Sequence, residues 1–133
     1  MKLIFDNSGK VKTQESVSEK EITDMIEKLH PSDFPYLILE DTESNYIQCM
    51  AGDKDFVVEI RIYDENDSFK HFVIGSKETS QVWYSINGAV GPVMVLGHEL
   101  LRIRDVKNLF VSFFLNNDVP ESYAKRNVTK MFR

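Results

Sequence analysis

Gln48, Glu59, Arg61 and His71 have the side chains that move protons or hold a charged ligand. Glu59 and Arg61 are two residues apart, so on a strand they share one face; Gln48 and His71 fall in the flanking apolar runs, and all four can meet on the polar side of one sheet. A carboxylate beside a guanidinium is held ionised, which suits an ion pair or a partner-binding patch better than a proton-donating acid. The enzymatic alternative is a small hydrolase or ligand-binding domain using Glu59, Arg61 and His71 around a pocket between sheet and helices.

Other constellations fail on spacing. His98-Glu99-Leu100-Leu101-Arg102 opens like the metalloprotease helix motif but has Arg102 where the second histidine ligand must stand. Asp64-Glu65-Asn66-Asp67-Ser68 begins like a calcium loop, yet Phe69 takes the glycine position and Gly75 that of the bidentate glutamate. The glycines from Gly88 to Gly91 lack the Lys-Ser or Lys-Thr of a phosphate loop. Cys49 alternates with Ile47 and Ala51, the setting of a buried, inert thiol rather than of a nucleophile served by His71. Neither a metal nor a cofactor is expected.

The elements that must position these residues follow from periodicity. Leu3–Phe5 and Val11–Thr13 read as a hairpin around Asn7-Ser8-Gly9-Lys10. Ser18 and Glu21 have capping-box spacing, and Ile22, Met25, Ile26 and Leu29 then form a helical stripe, predicting a helix over 19–30 that ends before Pro31. Tyr36–Glu40, Asn45–Ala51, Phe56–Asp64 and Phe69–Gly75 are period-two runs joined by short polar turns, the pattern of an antiparallel meander. Phe56, Val58, Ile60 and Ile62 share the core face; Val57, Glu59, Arg61 and Tyr63 share the other. Gln81–Ile86 is a further strand, Asn87-Gly88 a two-residue hairpin turn, and Pro92 makes the returning strand at Val93–Leu96 an edge. Val106, Leu109, Phe110, Phe113 and Phe114 form a second helical stripe, opened by Asp105 and stopped at Asn116-Asn117-Asp118. The expected fold is α+β: a meander of about five to seven strands with two helices packed on one face.

Alternate turns of a meander lie at the same end, so Asp41 and Glu43 are expected beside Asp64, Glu65 and Asp67. Such a rim either only keeps the protein soluble and its edges unpaired, or steers a basic protein partner onto the molecule. Tyr46, Trp83 and Tyr84 are the candidate aromatic anchors beside it, with core packing the alternative for Trp83.

The 133 residues make one domain, 1–133, carrying 16 basic and 21 acidic side chains for a net charge of −5. Residues 1–100 hold 9 basic against 18 acidic groups and 101–133 hold 7 against 3, an acidic body with a mildly basic end. That balance disfavours a grip on nucleic-acid phosphate. Leu3-Ile4-Phe5 is too short for a leader or a membrane span, and a lone cysteine fits a reducing compartment, so a cytoplasmic protein is expected. A homodimer paired through the edge near Pro92 is a further expectation.

Six segments carry a resemblance. They are Asn45-Tyr46-Ile47-Gln48, Phe56-Val57-Val58-Glu59-Ile60-Arg61, His71-Phe72-Val73-Ile74-Gly75, Asp105-Val106-Lys107-Asn108-Leu109-Phe110, Val119-Pro120-Glu121-Ser122-Tyr123 and Arg126-Asn127-Val128-Thr129. In this order, over residues 35–132, the chain resembles the first-numbered family of immunity proteins from bacterial polymorphic toxin systems. The resemblance implies an α+β, non-enzymatic antitoxin that occludes a cognate toxin encoded next to it, a nuclease or deaminase domain with a basic cleft. Ile60 separates Glu59 from Arg61 where that family pattern has them adjacent, and 76–92 has no clear counterpart in it.

Overall fold

The computed structural model describes residues 1–88 and 91–132. Strands β1 (Lys2–Asn7) and β2 (Lys10–Gln14) form the first hairpin. Its turn residues Ser8 and Gly9 both have positive φ, 51° and 90°, the sense that matches strand twist. Helix α1 (Glu19–Ile26) starts at a complete capping box: the Ser18 hydroxyl accepts the Glu21 amide, and the Glu21 carboxylate accepts the Ser18 amide. The helix stops a turn earlier than the spacing predicts. The amides of Lys28 and Leu29 reach back only three residues, to Met25 and Ile26, and this tightened end still delivers Leu29 to the core.

Strands β3 (Tyr36–Glu40), β4 (Tyr46–Ala51), β5 (Phe56–Tyr63) and β6 (Phe69–Gly75) form the expected meander. With β9 (Ala124–Asn127) they complete a seven-stranded antiparallel sheet in the order β2-β1-β3-β4-β5-β6-β9. Helix α2 (Ile103–Asn116) has Asp105 in its first turn, accepting the Arg102 amide, and ends on Asn117 in the left-handed conformation. Val106, Leu109, Phe110 and Phe113 of α2 and Ile22 and Ile26 of α1 pack on Leu3, Leu37, Leu39, Ile47, Cys49, Val58, Ile60 and Ile74 of the sheet. Each fully buried aromatic or aliphatic side chain here contributes about 1.5–3 kcal/mol.

The opposite face is also covered, which the alternation of β5 did not predict. A separate hairpin, β7 (Trp83–Gly88) and β8 (Gly91–Leu96), lies across it and buries Val95 against Val57, Val73 and Val128. Val57, expected on the polar side, is therefore buried. The hairpin register also corrects the turn: Asn87 pairs with Pro92 and Gly88 with Gly91, so Asn87-Gly88 belongs to the ladder instead of turning it; residues 89 and 90 lie outside the described residues. A Cβ on Gly52 would stand 2.4 Å from the Ile86 side chain, so that glycine is the seat of Ile86.

A candidate partner-binding face

The register across β4, β5 and β6 brings the four polar residues together on the hairpin-covered face, with Gln48 opposite Glu59 and Arg61 opposite His71. Gln48 Nε2 donates to Glu59 Oε2 at 3.1 Å. His71 Nε2 lies 2.6 Å from Glu59 Oε1, and Arg61 Nε donates to His71 Nδ1 at 3.0 Å. Because Nδ1 accepts, the ring proton sits on Nε2 and is donated to Glu59. His71 is 1% exposed, and its main-chain N–H donates to Thr129 Oγ1. The Arg61 guanidinium carbon stands 3.9 Å from the Phe69 ring centre, 4.6 Å from that of Phe132 and 5.5 Å from that of Tyr46. Burial raises the Tyr46 phenol above its usual range, and facing Arg61 offsets part of that rise.

This arrangement is closed. Neither imidazole nitrogen is left to take a substrate proton, and both glutamate oxygens are engaged. The expected pocket between sheet and helices that would hold Glu59, Arg61 and His71 does not form around them, since they lie on the face turned away from the helices. Cys49, fully buried on the helix side, is separated from His71 by the thickness of the sheet, and burial pushes its thiol far up. A concavity of 760 Å³ lies between α2 and the 120–123 segment; Lys107, Asn108 and Ser112 line it, and none of the four polar residues does.

What is open is the ground beside the network. A groove of 230 Å³ runs between β8 and the C-terminal 3-10 turn (Thr129–Phe132), with Val57, Glu59 and Val73 as its floor. Trp83 and Met94 form one wall and Met131 and Phe132 the other, exposed by 52%, 55%, 77% and 47%. Phe132 packs edge-on against Phe69, and Phe69 against Tyr63, so aromatic surface continues to the turn that starts at Asp64. Four large apolar side chains are thus exposed around one groove.

The acidic turns do share one end of the sheet, joined by Asn45: its side-chain oxygen accepts the Tyr63 amide, while its own amides donate to Asp41. Both are the same three-residue loop. In one, Asp41 Oδ1 accepts the amides of Glu43 and Asn45 and Ser44 has φ 71°; in the other, Asp64 Oδ1 accepts those of Asn66 and Ser68 and Asp67 has φ 60°. Asp41 and Asp64 are thus committed to turn closure, and Asp41 also accepts the Asn117 amide of α2. Glu43, Glu65 and Asp67 project into solvent, and Lys70 and Lys130 line a concavity with Asp64, so the rim is less uniformly negative than a count of its carboxylates implies.

Trp83 does not stand at that rim as expected. It stacks 5.1 Å over Arg126 and lines the groove beside Val57, at the opposite end of β5 from Asp64; Phe132 is the aromatic residue that links groove to rim. Tyr84 is also exposed and away from the rim, its ring beside Gly97 and lining a concavity with Asp53 and Asp55. Arg126 in turn makes a two-pronged pair with Glu99, at 2.8 and 2.9 Å, and Glu99 is fully buried. Met94, Met131, Phe132 and the Glu99–Arg126 pair were not recognisable as site residues, because an exposed methionine has the same sequence signature as a core one. Compared with known proteins, the chain matches no family model, no curated protein and no solved structure.

Proposed function

We propose that the chain is an immunity-type inhibitor, a non-enzymatic antitoxin that binds a cognate toxin domain and covers its active site in the cytoplasm of the cell that makes both. The observation that carries this reading is the exposed apolar stripe of Trp83, Met94, Met131 and Phe132, which runs through Phe69 and Tyr63 to an acidic turn. Large aromatic and methionine side chains supply binding energy once desolvated; Glu43, Glu65 and Asp67 supply attraction at a distance toward a basic nuclease or deaminase cleft. The closed Glu59–His71–Arg61 network serves this role as a rigid base under Phe132, whose ring centre lies 4.4 Å from that of His71. The six segments that resemble immunity proteins add to the same reading.

The test is titration with the toxin domain encoded by the neighbouring gene. The expected result is a one-to-one complex that abolishes the toxin's activity and associates more slowly as salt rises from 50 to 500 mM, values chosen to span about 14 to 4 Å of screening length. Absence of a complex at the lower salt overturns the proposal.

A further inference from the structure

The two aromatic side chains that flank the groove are mounted alike. Trp83, half exposed, stacks on the Arg126 guanidinium, whose carbon stands 5.1 Å from the indole ring centre. Arg126 is itself fixed: its Nε donates to Glu99 Oε2 at 2.8 Å and its Nη2 to Glu99 Oε1 at 2.9 Å, and Glu99 is fully buried. The same Oε1 accepts the main-chain N–H of Leu96 at 2.8 Å, and Leu96 is the cross-strand neighbour of Trp83. One carboxylate therefore sets both the strand position beside Trp83 and the cation against its ring. On the other wall Phe132 lies 4.6 Å from the guanidinium carbon of Arg61, and Arg61 is tied through His71 to Glu59. Each exposed ring thus rests on a guanidinium that a carboxylate holds in place, directly for Trp83 and through an imidazole for Phe132.

We propose, on the basis of the inhibitor reading, that Glu99 and Arg126 are positioning residues for Trp83: in the free protein the pair already holds the indole in the pose it has against the toxin domain. Stability alone is a weak account of the pair, because desolvation of a buried carboxylate offsets much of the attraction to its partner, and apolar side chains of the same volume stabilise a fold as well. Direction is what an apolar pair lacks. A guanidinium held by two prongs presents a flat face at a fixed tilt, and that face suits an indole both by charge and by stacking. An exposed tryptophan free to change rotamer must be ordered when a partner closes over it, which weakens binding; one already ordered avoids that loss. With Nε and Nη2 engaged by Glu99 and its face by Trp83, Arg126 acts through the indole.

Trp83 is the sole tryptophan, so its fluorescence reports this site alone. The experiment compares the wild type with two variants. Arg126→Lys keeps a cation beside Glu99 but removes the fork and the flat face; Glu99→Gln keeps an acceptor for Leu96 and turns one of the two acceptors of Arg126 into a donor. In each variant the sub-nanosecond part of the indole anisotropy decay should at least about double. Affinity for the neighbouring-gene toxin domain should fall about 3- to 10-fold. In a Trp83→Ser background, Arg126→Lys should change affinity by less than about twofold, as a residue acting through the indole requires. An unchanged decay, or a loosened indole with full affinity, overturns the positioning role and leaves the inhibitor reading standing. An affinity loss that persists without Trp83 makes Arg126 a contact residue and also overturns it. Absence of a complex with the wild type overturns both.

Discussion

His71 illustrates how neighbours decide what a residue can do. Its ring is held between a donor on Arg61 and an acceptor on Glu59, so a side chain that could serve as a base is used to join β5 and β6 beneath Phe132. Cys49 is governed by burial alone, and the consequence is an alkaline limit on stability. Its folded thiol is raised above the unfolded value of about 8.5, so its contribution is complete below that pH and declines above it. By pH 9.5 the wild type should have lost about 1.4 kcal/mol more than Cys49→Ala relative to pH 7, read from urea midpoints. Tyr46, raised in the same direction, adds a further decline above about pH 10. Asp64 is a turn residue before it is a charge: Asp64→Ala should cost about 1 kcal/mol in thermal or urea unfolding, whereas Asp64→Asn, which keeps the accepting oxygen, should cost much less.

The hairpin β7–β8 decides the character of the second sheet face, and a single ion pair pins its base. Glu99 accepts from Leu96 at the end of β8 and from Arg126 on β9, tying hairpin to sheet edge. Glu99→Ala strands Arg126 and should cost about 2–3 kcal/mol, less than a fully buried pair because Arg126 is partly exposed; amide exchange across Trp83–Leu96 should accelerate more than across β3–β5. The meander was legible from alternation in Tyr36–Glu40 and Phe56–Tyr63, and both helices from their stripes, because those faces meet a single core. Strand β9 was not: Ala124–Asn127 has no apolar alternation and is held by pairing with β6 and by Arg126. The polar quartet was legible because β4, β5 and β6 are joined by short turns that fix register. The groove was not, because it is built from segments far apart in the chain, β8 and the C-terminal turn, whose meeting depends on how the hairpin folds back.

At the scale of the molecule the two sheet faces have different roles. The helix side holds the larger core, and the hairpin side carries a small valine cluster, the polar network and a stripe of exposed aromatic and methionine side chains. The account stands on that second side being the one that meets a protein partner. The most direct measurement is the affinity of the neighbouring-gene toxin domain for Trp83→Ser/Met131→Ser, compared with Leu115→Ser, a change at an exposed apolar position on α2. The double variant should bind at least about 100-fold more weakly while Leu115→Ser binds as the wild type does, all three proteins melting within a few degrees of one another. Full affinity in the double variant, with the loss appearing in Leu115→Ser, would place the partner on the helix side and contradict the account.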